Sequence, residues 1–115
     1  MKTKIFHNPR CSKSRLALSL LQKSQIEIEI IEYLKKPPSY QDIQNILKML
    51  NIKPIDLIRK GEVLFKELEL EKHIDDNHML VKAMVNNPIL IERPIIISGN
   101  RAVIGRPPEL VLNII

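Results

Sequence analysis

The sequence predicts an α/β fold: a mixed four-stranded sheet with flanking helices. Three observations lead there. A strand, a helix and a second strand follow one another in the first 33 residues, an order that needs a parallel crossover. Near the other end an isoleucine-rich run, a glycine turn and a returning strand read as an antiparallel hairpin. Between these halves the chain carries only helical patterns.

Lys4 to His7 is a short strand, ended by the turn signal Asn8-Pro9. From Ser12 to Ser24, Leu16, Ala17, Leu20 and Leu21 recur at helical spacing. Ile26, Ile28 and Ile30 then alternate with Glu27 and Glu29, and Ile31 and Tyr33 extend this strand. Pro37 and Pro38 break regular structure. Ser39 with Asp42 three residues on has the form of an N-cap and an acidic first turn, followed by Ile43, Ile46, Leu47 and Leu50 on one helix face. Pro54 suits the start of a short helix to Ile58, and Glu62 to Leu68 another turn or two. The polar stretch Glu69 to Asn77 precedes a helix carrying Leu80, Val81, Met84 and Val85, which Asn87-Pro88 closes. Pro94 to Ser98, with Ile95, Ile96 and Ile97, is typical of a buried strand. Gly99-Asn100 turns the chain into Arg101 to Ile104, and Pro108 to Ile114 reads as a final helix. The order β-α-β, helical middle, β-β-α is the thioredoxin-like arrangement. One domain over residues 1–115 is expected, with a helical insertion over roughly 39–87.

Apolar residues make up 44% of the 115 and aromatic residues only 3%, so the core is aliphatic. No run approaches the roughly 18 apolar residues of a membrane span, and no signal peptide is legible at the N-terminus. A single cysteine cannot close an internal disulfide and fits a reducing compartment, so the cytoplasm is the expected location. The net charge of +5 suits an anionic ligand, but the 18 Lys and Arg are scattered and stacking aromatics are scarce, which argues against nucleic acid. Neither a membrane nor a nucleic acid is an expected partner. His73 and His78 are five apart and suggest no metal pair; no metal site and no bound cofactor is expected.

Cys11 follows a strand and a tight turn and stands immediately before a helix. Unpaired N–H groups and the helix dipole stabilise negative charge there and lower a thiol pKa. Arg10, Lys13 and Arg15 add positive potential, and His7 stands four residues upstream. Two readings of Cys11 stay open on position alone: an activated nucleophile, or the small buried residue that free cysteines commonly are. In Cys11-Ser12-Lys13-Ser14 a serine holds the place of a second redox cysteine, so a catalytic cycle needs an external thiol. Arg59, Arg93 and Arg106 each fall at an element boundary. Arginine's planar fork of donors suits a tetrahedral oxyanion, whereas each one singly is ordinarily a solvated surface residue.

The segment His7-Asn8-Pro9-Arg10-Cys11-Ser12-Lys13-Ser14-Arg15 resembles the active-site segment of the glutaredoxin-coupled arsenate reductases. Tyr33-Leu34 with Pro37-Pro38-Ser39, Leu57-Ile58-Arg59-Lys60, Asn87 to Ile95 and Gly105-Arg106-Pro107-Pro108-Glu109 match in the same order, so the resemblance spans essentially the whole chain. It is closest to the short members that lack a C-terminal extension. The resemblance implies a thioredoxin-like fold with a helical insertion and Cys11 as nucleophile. It further implies oxyanion binding by Arg59, Arg93 and Arg106, and a cis bond at Arg93–Pro94. It also implies that Ser14 hydrogen-bonds the thiolate and that His7 tunes it. The implied reaction reduces arsenate to arsenite through a Cys11 thiolate adduct, with glutathione as co-substrate and glutaredoxin clearing the mixed disulfide.

Two rival readings remain. Spx-type regulators use a related fold to bind RNA polymerase, usually with a Cys-x-x-Cys where this chain has Cys11 and Ser14. A glutathione-dependent thiol transferase would act on mixed disulfides rather than on oxyanions.

Overall fold

The alternating burial of Thr3, Ile5 and His7 in β1 (Thr3–His7) sets the centre of the sheet. The computed structural model describes residues 2–115. Strand order is β2-β1-β3-β4, with β2 at Ile28–Glu32, β3 at Ile95–Ser98 and β4 at Arg101–Ile104. β1 pairs in parallel with β2, Ile5 facing Ile30, and antiparallel with β3, Ile5 facing Ile96. β3 and β4 form the expected hairpin, with Gly99 at φ 63 in its turn. This is the mixed sheet of the thioredoxin-like fold.

By its internal contacts the chain divides into two compact units. The first runs up to Lys36 and resumes at Arg93–Ile115. Its core joins Ile5, Ala17, Leu21, Ile96 and Val111, all fully buried. Helix α1 (Ser12–Lys23) buries Ser14, Ala17 and Leu21, a face rotated from the stripe the sequence suggests: Leu16 is 57% exposed. β2 starts at Ile28 rather than Ile26, because Gln25 takes a left-handed φ of 57 after α1 and the chain needs two residues to re-enter the sheet. It stops at Glu32, whose carbonyl accepts from the N–H groups of Lys35 and Lys36 in a turn that buries Tyr33. The final segment, Pro108–Asn113, is a 3₁₀ helix that buries Pro108 and Val111.

The second unit, Pro37–Glu92, is helical. Its helix α2 (Tyr40–Leu50) opens with a full capping box between Ser39 and Asp42 and ends at Asn51, left-handed at φ 56. Short helices α3 (Pro54–Leu57) and α4 (Val63–Glu67) follow, the first with Pro54 in its opening turn. The polar stretch is not wholly irregular. Leu70–Lys72 makes a 3₁₀ turn because Leu70 is buried. Helix α5 (Asn77–Asn86) is capped by the Asp76 side chain and buries Leu80, Val81 and Met84. A bridge between Ile58 and Ile91 closes the unit, Arg59 N–H donating to the Leu90 carbonyl at 2.7 Å and Glu92 N–H to that of Leu57 at 2.8 Å.

Candidate active site

The loop between β1 and α1 is held by its own polar groups. The Asn8 side-chain oxygen accepts from Arg10 N–H at 3.0 Å, and the Asn8 carbonyl accepts from Cys11 N–H at 3.0 Å. Asn8 N–H in turn donates to the Ser14 hydroxyl at 3.1 Å, and the Arg15 guanidinium donates to the Pro9 carbonyl at 3.0 Å. Asn8 is buried, and it was legible in sequence only as half of a turn signal. It is the brace that sets Cys11 at the N-cap of α1, where the residue is extended at φ −94 and ψ 122.

Cys11 is half-exposed. Its pKa is lowered. Burial pushes it up, but the backbone N–H of Ser14, a hydrogen bond from the Arg93 guanidinium, the backbone N–H of Lys13 and the charge of Arg93 outweigh that. The sulfur stops short of a full capping bond, so these N–H groups act as a diffuse positive end rather than as one strong donor. Arg106 adds a further donor, its Nη2 lying 3.7 Å from the Cys11 sulfur.

Ser14 meets the thiol and His7 through different atoms. Ser14 addresses the thiol through its backbone N–H, while its fully buried hydroxyl bonds His7 Nδ1 at 2.7 Å. That hydroxyl also accepts from Asn8 N–H, so it ties the imidazole to the turn before α1. Burial lowers the His7 pKa; the Glu32 charge opposes this and the Arg15 charge adds to it. His7 is therefore neutral near pH 7. It braces α1 against β1 and supplies no cation to the thiolate.

The two arginines of this unit are brought together by the hairpin. The Arg93–Pro94 bond is cis, and so is Arg106–Pro107, which sequence reasoning missed because nothing local marks it. Gly105 N–H donates to the Pro94 carbonyl at 2.9 Å, and Arg106 Nε donates to the Arg93 carbonyl at 2.8 Å. A Cβ on Gly105 would lie 2.9 Å from Pro94 Cγ and 3.3 Å from both Ile96 Cδ1 and Val111 Cγ1. Gly105 is thus there for close packing on Pro94.

Arg59 belongs to the helical unit. Its Nε donates to Glu62 at 3.2 Å and its Nη1 to Glu92 at 3.0 Å, so its orientation is set by two carboxylates. His78 Nδ1 lies 2.9 Å from the Tyr40 hydroxyl at an exposed position. Among the described residues no group of three or more His, Cys, Asp or Glu could hold a metal ion, and no helix is long and apolar enough to cross a membrane.

A half-exposed thiol of lowered pKa beside two arginines, just past the end of a central strand of a thioredoxin-like sheet, narrows the comparison with known proteins. The profile of the ArsC family matches residues 6–114. The chain belongs to the ArsC family. It is 43% identical over 107 residues to the arsenate reductase of Neisseria meningitidis serogroup A, covering 92% of each chain. It is 44% identical over 115 residues to the uncharacterized protein YfgD of Escherichia coli K12, covering 99% of this chain and 97% of that one. The solved structure of an arsenate reductase from Vibrio cholerae aligns with a TM-score of 0.96 at 40% identity, over 100% of this chain and 98% of its own. This ArsC-family chain carries its cysteine loop, cis-Pro94 and hairpin arginines on a thioredoxin-like frame.

Proposed function

We propose that this ArsC-family protein reduces arsenate to arsenite through Cys11. The observation that carries the reading is the pairing of an activated thiol with two arginine forks: Arg93 hydrogen-bonds Cys11, and Arg106 Nη2 lies 3.7 Å from its sulfur. Guanidinium groups so placed stabilise the thiolate at rest and a tetrahedral oxyanion when it arrives.

In this reading the Cys11 thiolate attacks arsenic and displaces one oxygen, which leaves as water after taking up protons. Glutathione supplies the second thiol. Each sulfur gives up one electron, arsenic passes from As(V) to As(III), and the sulfurs join. The sum is arsenate plus two thiols giving arsenite, one water and a Cys11–glutathione disulfide. Glutaredoxin clears that disulfide by thiol exchange. Arg93 and Arg106 hold the oxyanion, and Ser14 N–H holds the thiolate. His7 and the Ser14 hydroxyl keep the helix end in place, and Arg59 joins the oxyanion ligands by resemblance. The chain works as one functional domain with its helical segment as an insertion, in a reducing cytoplasm that supplies the thiols, with no resident cofactor or metal.

The test couples purified protein, arsenate, glutathione and glutaredoxin to glutathione reductase and follows NADPH consumption against Cys11→Ser. Arsenate-dependent consumption that the mutant loses supports the reading. Turnover of a glutathionylated peptide that survives Arg93→Ala and Arg106→Ala points instead to a thiol transferase. Co-purification with RNA polymerase, without turnover, points to an Spx-type regulator.

A further inference from the structure

Arg59 is heavily engaged for a residue whose proposed ligand is an anion. Its Nε donates to Glu62 at 3.2 Å and its Nη1 to Glu92 at 3.0 Å, and the three side chains are 23–25% exposed. The ion pairs Lys35–Glu32 and Lys72–Glu69, by contrast, lie on open surface. Backbone pairing fixes the arrangement. Ile58 and Ile91 face each other in an antiparallel bridge, with Arg59 N–H on the Leu90 carbonyl and Glu92 N–H on that of Leu57. Arg59 and Glu92 are therefore diagonal neighbours on one face of that bridge. Glu62 reaches the same guanidinium from the N-cap of α4, where its side chain makes no capping bond. Nη2 of Arg59 has no hydrogen-bond partner among the described residues.

One carboxylate is enough to orient an arginine. Two of them offset its charge and weaken its attraction for every anion alike. The arrangement suits an anion that also donates. A carboxylate accepts along several lone-pair directions, so one that holds a guanidinium can take a further donor. Arsenate and phosphate keep an O–H near neutral pH and can supply that donor, whereas sulfate presents only lone pairs and is repelled. We propose that Glu62 and Glu92 make Arg59 selective for oxyanions that still carry a hydroxyl: Nη2 donates to one oxygen of the anion, and a carboxylate accepts its O–H. The inference rests on the reading of Arg59 as an oxyanion ligand. It puts arsenate and phosphate in one class and sulfate outside it, and it makes the two glutamates specificity-determining residues. A site built to accept a hydroxyl discriminates strongly, because an anion without one leaves the acceptor facing further lone pairs.

The experiment needs no turnover. Phosphate and sulfate are titrated separately into wild-type protein at neutral pH and constant ionic strength, and Kd is read from the side-chain Nε–H resonance of Arg59. Phosphate is expected to bind about tenfold or more tighter than sulfate. In Glu62→Gln/Glu92→Gln the amides still accept from Arg59 and now donate as well. Sulfate binding should then tighten about tenfold and the preference shrink to within about threefold. Sulfate bound as tightly as phosphate by the wild type overturns the proposal without recourse to any variant. So does an unchanged preference in the variant, which makes the glutamates supports alone, or an equal tightening of both anions, which reduces their effect to charge. If neither anion moves the resonance, Arg59 is no oxyanion ligand and the inference falls, while Cys11-dependent arsenate turnover still decides the reaction. A phosphate preference without arsenate turnover removes the reaction and leaves the selectivity standing.

Discussion

Arg106 reaches Cys11 by way of Arg93. Its Nε is fixed on the Arg93 carbonyl at 2.8 Å, which leaves Nη2 3.7 Å from the Cys11 sulfur. One planar fork thus joins the residue before the cis proline to the Cys11 thiol, and a primary ammonium cannot span both contacts. Arg106→Lys is therefore expected to behave like Arg106→Ala. Each should lower arsenate kcat/KM by about tenfold or more, as for loss of a charge-assisted hydrogen bond. Steady-state kinetics on both variants checks this. Recovery with lysine to within about twofold would show that charge alone matters.

The thiol offers a second test. Because donors from Ser14, Arg93 and Lys13 outweigh burial, Cys11 alkylation should titrate below the free-thiol value of about 8.5. Arg93→Ala should move that midpoint upward. The shift has a consequence for stability. A thiol pKa depressed by folding stabilises the native state fully above the unfolded value, and the gain is lost as pH falls through the folded one. Iodoacetamide rates against pH give the midpoint directly, and one at or above 8.5 would remove the activated nucleophile.

His7 titrates in the same sense for a different reason. Burial holds its pKa below the usual histidine value, the Glu32 charge opposing this and the Arg15 charge adding to it. Its contribution to stability is complete above about 6.5 and declines as pH falls toward the folded-state value. The ring resonances of His7 should report a neutral imidazole at pH 7. His7→Asn should destabilise the fold by about 1–3 kcal/mol as Ser14 loses its buried partner, read as a lowered Tm. An imidazolium at pH 7 would instead make His7 a direct electrostatic partner of the thiolate.

Gly105 makes a purely steric prediction. Gly105→Ala puts a methyl group against the Pro94 ring, which is not the flexible end of a side chain and cannot swing away. The cost expected is about 1–3 kcal/mol, typical of overpacking. Displacing the Pro94 strand also loosens the Arg106–Arg93 bond, so arsenate KM should rise along with the loss of Tm. An unchanged Tm would mean that the hairpin relaxes around the added carbon.

The elements of this chain were legible where the physics is local. The short strand from Lys4 to His7, ended by Asn8-Pro9, and the Ile95 to Ile97 run placed both central strands, and the Ser39–Asp42 box marked a helix start to the residue. Cys11 stood out for a local reason too, since a turn followed by a helix defines an electropositive end. Local pattern failed where burial depends on what lies opposite. Leu16 looked like core and is exposed, while the buried face of α1 includes Ser14, whose hydroxyl has partners only because β1 ends at His7 and Asn8.

What the sequence by itself determined is a lone cysteine at a helix terminus and a set of arginines at element ends. Tertiary structure alone decided that Arg93 and Arg106 meet each other and Cys11. The hairpin aligns Pro94 with Gly105 and so carries the flanking arginines side by side, while pairing of β1 with β3 brings them to a sulfur 95 positions away from Arg106. Such pairings leave no periodicity in the chain, because strand register is set by partners that are distant in sequence. The same holds for His7 and Ser14: packing turned the imidazole and hydroxyl toward each other, while the Ser14 N–H faces the thiol.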